Sequence, residues 1–304
     1  MDNLKRWMVG LDLTELDDTL ISYTKYLAQI FQPELVFFVH IIRHREYPDG
    51  VHIHMPDTSE YNKEGVEQAL TACVTKHFNE DEPIEILVFD GKPKFELWKE
   101  LFVFNIDLFI AGAKEKHKGR GIIPQKFVRR SLCSVLFVPE GVSQKIQKIL
   151  VPMDFSEPSK QAIEKAVKMA DTIGPCSVTT CHAFDSAYGV NFSNLPSDEY
   201  IKNSRQAAAD QYDQFITSVD LKHQNVELKL LFNNRPSVAE LIKDFAEREF
   251  YDLIIMSATG KSGFMWILLG SETERIVRIE KKLPVMILKE KKENVKFWDL
   301  VSNA

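Results

Sequence analysis

The sequence repeats itself at a spacing close to the length of a domain. Trp7-Met-Val-Gly-Leu-Asp12 is echoed by Ile149-Leu-Val-Pro-Met-Asp154, and His40 by His182, both 142 residues later. Phe89-Asp-Gly-Lys-Pro93 returns as Phe232-Asn-Asn-Arg-Pro236 after 143 residues, and Asp107-Leu-Phe-Ile-Ala111 as Asp252-Leu-Ile-Ile-Met256 after 145. Val135-Leu-Phe-Val138 returns as Val285-Met-Ile-Leu288 after 150. A near-constant offset predicts two copies of one fold. The late jump places five extra residues of the second copy between its fourth and last matched segments. Loops carry chemistry while scaffolds repeat, so that insertion is where function is sought.

Within each copy, short apolar runs alternate with helical periodicity. In the second copy Ile149–Val151 reads as a strand, followed by Ser156 as an N-cap with Glu157 and Pro158 in the first turn. Ile163, Ala166, Val167 and Ala170 then recur at helical spacing until Gly174. Further strands are predicted near 178–181, 226–232, 252–256 and 285–288. Helices are predicted near 197–219, 236–250 (Val238, Leu241, Ile242 and Phe245 on one side) and 272–280. The first copy follows suit, with Thr14 as the expected cap and Leu16, Leu20, Leu27 and Ile30 behind it. Five apolar strands with intervening helices imply a parallel sheet covered on both faces. Ligands of such sheets bind beyond the carboxyl ends of the strands, where strand order reverses. Asp154 follows strand one and the 257–271 loop follows strand four, so both converge on that crevice.

Composition narrows the classes. The 304 residues are 44% hydrophobic and 27% charged, an ordinary globular balance. Acids outnumber bases 44 to 38, which argues against nucleic acid as a partner. No stretch reaches the roughly 18 unbroken apolar residues of a membrane helix, and the first residues show no signal-peptide core. Cys73, Cys133, Cys176 and Cys181 form no metal or disulfide pattern, so reduced thiols in a cytoplasmic protein are expected.

The loop after the fourth strand of the second copy reads Met256-Ser-Ala-Thr-Gly260-Lys-Ser-Gly263-Phe-Met-Trp-Ile-Leu-Leu-Gly270-Ser271-Glu272. Its glycines admit backbone conformations that other residues resist and let amides approach an anion. Gly270-Ser271 precedes an amphipathic helix, whose free N–H groups suit a phosphate. The alternative is a turn-rich loop with a serine at the helix start. Gly260-Lys261-Ser262 is no Walker A motif, because Ile255, inside a strand, stands where that motif needs glycine.

On Val151-Pro-Met-Asp-Phe-Ser156, Asp252–Met256 and Leu268-Leu-Gly-Ser-Glu-Thr-Glu-Arg-Ile276 leading into Leu283–Leu288, the sequence resembles the universal stress protein family in its tandem, two-domain form. The family motif G-x2-G-x9-G-[ST] is kept at Gly260, Gly270 and Ser271, with Ser257 in place of its first glycine. The resemblance implies two open five-stranded parallel-sheet domains with helices on both faces, of the adenine nucleotide alpha hydrolase-like type, strand order 3-2-1-4-5. Their expected extents are 1–143, degenerate, and 144–290, with the nucleotide site, followed by a tail over 291–304. It further implies a cytoplasmic stress-response protein that holds ATP or AMP, with or without Mg, in the second domain as a regulatory ligand. The implied contacts are Pro152, Asp154, Ala183, Met256, Ser257, Gly260, Gly263, Gly270, Ser271 and Glu272. Asp154 and the backbone of Ala183 would meet adenosine, and the 260–271 loop the ribose and phosphates. Last strands commonly pair between domains in this family, so the expected assembly is an intrachain pseudo-dimer that can also form a homo-oligomer.

Other readings remain open at this level. A slow ATP hydrolase or adenylyl-transfer enzyme would need a base, for which Glu272 and Glu274 are the nearby candidates. A nucleotide-free interaction scaffold is the third. Asp154 either caps the following helix or accepts from ligand hydroxyls, and Lys261 and Arg275 are candidates for balancing phosphate charge. The first copy has Pro124-Gln125 where the second has Gly270-Ser271, and Lys114, Lys116, Lys118, Arg120, Lys126, Arg129 and Arg130 make that region basic. It is read as a solvated face, with an acidic partner as the alternative. His52-Ile-His54, near His40 and His44, is not expected to bind metal, and His182 is read as the end of a strand.

Overall fold

The computed structural model describes residues 4–42, 63–91, 93–113, 131, 133–185, 198–234, 237–258 and 270–289. They form two compact units, within 2–140 and within 141–289. The first runs β1 (Arg6–Gly10), α1 (Leu16–Phe31), β2 (Leu35–Ile42), α2 (Lys63–Val74), β3 (Ile84–Asp90), α3 (Pro93–Val103), β4 (Leu108–Ala113) and β5 (Ser134–Pro139). The second runs β6 (Lys148–Pro152), α4 (Glu157–Ile173), β7 (Ser177–Asp185), α5 (Asp198–Ile216), β8 (Glu227–Asn233), α6 (Val238–Arg248), β9 (Leu253–Ser257), α7 (Ser271–Ile279) and β10 (Val285–Leu288).

Within the first unit the strands lie in the order β3-β2-β1-β4-β5, and within the second β8-β7-β6-β9-β10. Every pairing within each unit is parallel. Each unit is therefore an open parallel sheet whose first strand lies beside its fourth. The central strands are apolar without alternation, since helices cover both faces. Ile149, Leu150 and Val151 on β6 and Ile254 on β9 are wholly buried.

The repeated residues hold repeated joints. Asp107 Oδ2 accepts from the backbone N–H groups of Lys5 and Arg6, both at 2.9 Å, and Asp252 Oδ2 from those of Gln147 and Lys148 at 2.8 and 2.9 Å. The aspartate before strand four thus ties down the start of strand one in both units. His40 Nδ1–H donates to Leu11 O, and His182 Nδ1–H to Met153 O, each at 3.0 Å.

The helix boundaries of the second unit follow their sequence signals. Ser156 caps α4, its side chain accepting from Ser159 N–H, and Gly174 ends it at φ 101°. The first unit departs from expectation at Thr14. The helix begins at Leu16 with Glu15 at the cap and no side-chain cap bond, while the Thr14 hydroxyl donates to Asp12 Oδ1 at 2.6 Å. The buried face of α6 is also rotated from the expected one: Ala239, Ile242, Phe245 and Ala246 are buried, while Val238 and Leu241 are half-exposed. The basic segment 114–130, His44, His52 and His54, and the tail 291–304 lie outside the described residues.

Candidate functional site

A cavity of about 380 Å³ opens in the second unit at the carboxyl ends of β6, β7 and β9. Its volume lies within the range of small-ligand sites, roughly 300–1,000 Å³. β6 and the turn after it supply Pro152, Met153 and Asp154, β7 supplies Cys181, His182 and Ala183, and β9 supplies Met256 and Ser257. Ser159 reaches in from α4, Val238 and Ile242 from α6, and Gly270 to Thr273 from the start of α7. This is the crevice that the strand order dictates, between the first and fourth strands. Eight predicted positions, Pro152, Asp154, Ala183, Met256, Ser257, Gly270, Ser271 and Glu272, line it together. Gly260, Gly263 and Lys261 lie outside the described residues. Met153, Ser159, Cys181, His182, Val238, Ile242 and Thr273 join the wall without having been singled out as contacts.

Asp154 is held by its own turn. Its Oδ1 accepts from the Ser159 hydroxyl at 2.7 Å and from Ser156 N–H at 3.2 Å, while its N–H donates to Ser159 Oγ at 3.2 Å. The Ser156 hydroxyl donates onward to Ser159 Oγ at 3.2 Å. Phe155, next in the chain, takes a left-handed conformation (φ 61°), as does Leu13 (φ 59°) after Asp12. That conformation is uncommon for side chains larger than asparagine. The Phe155 ring packs on His182 at 4.3 Å between centroids and on Phe215 at 5.7 Å. Because a carbonyl only accepts, the bond to Met153 fixes His182 as its Nδ1–H tautomer, with Nε2 an acceptor while the ring is neutral. His182 does not end its strand, as the sequence suggested, because β7 runs on to Asp185; it forms part of the wall from within the strand. Burial pushes the Cys181 thiol far above its ordinary range, so it serves as an inert apolar group.

The far wall is the start of α7. Gly270 caps the helix with no side-chain bond, its N–H donates to Ala258 O at 2.7 Å, and its carbonyl accepts the first helical bond from Glu274 at 2.9 Å. The first-turn amides of a helix have no acceptor within it, so the positive end of α7 borders the cavity. Gly270 corrects the sequence expectation. Its φ of −60° and ψ of 144° suit any residue. A β-carbon there would meet Thr273 Oγ1 at 3.6 Å and Ala258 O at 3.7 Å, ordinary contacts. Neither backbone strain nor packing within the described residues calls for glycine at this place. Ser257, the departure from the family motif, fits beside it: its carbonyl accepts from the Thr273 hydroxyl at 3.2 Å.

Two charged groups are engaged in joining helices. Glu272 Oε2 accepts from Ala239 N–H at 2.7 Å, serving the amino end of α6. Arg275 Nη2 donates to Glu240 Oε1 at 3.3 Å across the α6–α7 contact. Among the described residues no lysine or arginine lines the cavity, and what these residues offer an anion is the backbone amides at the start of α7. No group of three or more His, Cys, Asp or Glu side chains is placed to hold a metal among the described residues.

The crevice of the first unit is built differently. Asp17 stands where the second unit has Ser159; it is buried, and its two oxygens accept from Asp12 N–H at 3.1 Å and Leu13 N–H at 2.7 Å. Leu16 is buried against Gly112, the position matching Ser257. A β-carbon on Gly112 would fall only 2.2 Å from Leu16 Cδ2.

Comparison with known proteins agrees with this geometry. Residues 145–289 match the model of the Universal stress protein family, so the C-terminal half carries a domain of that family. Two universal stress proteins of Methanocaldococcus jannaschii are each 29% identical to this chain, over 154 and 164 residues. The alignments cover 48% and 49% of this chain and 84% and 99% of those proteins. A universal stress protein from Archaeoglobus fulgidus superimposes with a TM-score of 0.62 over 95% of this chain and 97% of its own. At 16% identity that likeness shows the fold. No described helix is long and apolar enough to cross a membrane.

Proposed function

We propose that the second unit binds an adenine nucleotide, ATP or AMP, in this cavity as a regulatory ligand. The chain would then be a tandem pair of universal-stress-protein units, the first of which has lost the site. The observation that carries this reading is Gly270. It is a glycine that neither its own backbone nor its neighbours among the described residues require, at a helix start that borders a cavity of ligand size. A missing side chain at that point leaves room for an anion to reach the first-turn amides. The residues fit the rest of such a ligand. Met153, Ala183, Val238, Ile242 and Met256 offer apolar surface for a base, and Asp154 offers a fixed carboxylate acceptor for hydroxyls. A Mg ion, if carried in, would come with the phosphates and supply charge neutralisation.

The enzyme reading draws less support. Glu272, a candidate base, spends a carboxylate oxygen on a helix amide. Phosphoryl transfer needs a group placed beside the phosphates, and Asp154 stands in the turn after β6, not at the start of α7 where this reading puts them.

Calorimetric titration of the whole chain with ATP, ADP and AMP tests the proposal, with Asp154→Ala as control. Saturable binding that the substitution abolishes is the expected result. Heat that never saturates at millimolar nucleotide refutes it, and robust turnover dependent on Asp154 replaces the regulatory reading with the catalytic one.

A further inference from the structure

We infer that Ser159 is the positioning residue that makes the second unit competent for its ligand, and that Asp17 at the matching place keeps the first unit incompetent. The inference rests on the nucleotide reading of the cavity and assigns a role to a residue outside the family motif.

The two units share the strand, the aspartate and the left-handed residue after it: Gly10 to Leu13 in one, Pro152 to Phe155 in the other. They part company five residues after the aspartate. Ser159 is 3% exposed and lines the cavity. Its hydroxyl has one proton, and the 2.7 Å bond directs it to Asp154 Oδ1. Its oxygen then accepts from Asp154 N–H and from the Ser156 hydroxyl. With Oδ1 also taking Ser156 N–H, the carboxylate is fixed in rotation at the cavity wall. As a neutral donor, Ser159 places no second negative charge behind Asp154.

Asp17 reverses that logic. It donates nothing while ionised. Its two oxygens take the loop amides of Asp12 and Leu13, and it is 4% exposed, which places a second carboxylate behind the first. The Asp12 side chain turns to the Thr14 hydroxyl instead. The shift of the helix start to Leu16 accompanies this change and brings Leu16 against Gly112.

The test is ATP affinity of the whole chain by calorimetry, with thermal melts to confirm folding. Ser159→Ala removes a hydrogen bond to a charged group and is expected to weaken binding about tenfold, Ser159→Thr to restore it, and Ser159→Asp to abolish saturable binding. Asp154→Asn supplies the second background. If Ser159 acts through Asp154, the Ser159→Ala loss shrinks there, whereas a merely structural role carries over in full. Where Asp154→Asn binds too weakly to measure, the threonine arm decides. An unchanged affinity in Ser159→Ala, a loss that threonine does not restore, or a full loss in the Asp154→Asn background overturns the role of Ser159 and leaves the nucleotide site standing. Failure of the unsubstituted chain to bind ATP or AMP overturns both.

Discussion

Alanine at Gly270 separates the demands of the fold from those of the ligand. Two terms act on stability. The φ of −60° suits alanine, so restricting the unfolded chain adds about 0.4–1 kcal/mol. Alanine is a poorer helix cap than glycine, which removes a similar amount. The new β-carbon sits 3.6 Å from Thr273 Oγ1 and 3.7 Å from Ala258 O, so no clash enters among the described residues. The midpoint of a urea titration should therefore move by less than about 1 kcal/mol in either direction. Ligand affinity is a different matter, because the proposed site brings the anion to the first-turn amides of α7, beside the new β-carbon. Overfilling a fitted contact by one methyl typically costs about 1–3 kcal/mol, a loss of roughly 5- to 150-fold in affinity. Urea denaturation and calorimetric titration of the same preparation read both. Unchanged ATP affinity would refute the argument, since the ligand then passes elsewhere. A stability loss beyond about 2 kcal/mol would also refute it, because the glycine would then be a requirement of the fold.

Three further outcomes follow from the geometry. Glu272→Ala leaves the Ala239 amide without its acceptor and should destabilise the chain by about 1–3 kcal/mol in urea; Glu272→Gln, which keeps an acceptor, should lose less, and equal losses would contradict the assignment. Leu16→Ala empties the space against Gly112 and should cost about 2–5 kcal/mol, with a loss under about 1 kcal/mol showing that the first crevice is not filled from within. Burial raises the Glu247 carboxyl, but hydrogen bonds and charge from Lys243 and Lys282 outweigh it and hold the group below its ordinary 4.5. A depressed folded pKa contributes stability above the unfolded value that is lost as pH falls through the folded one. The deficit of Glu247→Gln should thus be present at neutral pH and fade below pH 4.5, as followed by melts across pH.

Much of this was legible because the repeat marks what both units need. Asp107 with Asp252, and His40 with His182, recur because each ties one strand to the segment flanking another, though the sequence shows the recurrence and not the bond. Ser156 and Gly174 announce the ends of α4 by local chemistry alone. Thr14 misleads because the same residue type serves as a helix cap or as a partner for a nearby carboxylate, and the buried Asp17 decides between them. Gly270 misleads in the other direction, because its torsion angles suit any residue. Ser159 was invisible as a site residue because its bond to Asp154 exists only once the turn through Phe155 has closed, and no glycine marks that left-handed turn. The face of α6 was misplaced by one position, since Val238 is spent on the cavity wall and not on the core.

A crystal structure of the whole chain soaked with ATP tests the central claim most directly. The account predicts density for one nucleotide per chain, with its phosphates at the start of α7 and its sugar against Asp154. Density beside Asp12 in the first unit, or an empty second cavity in crystals saturated with nucleotide, would contradict it.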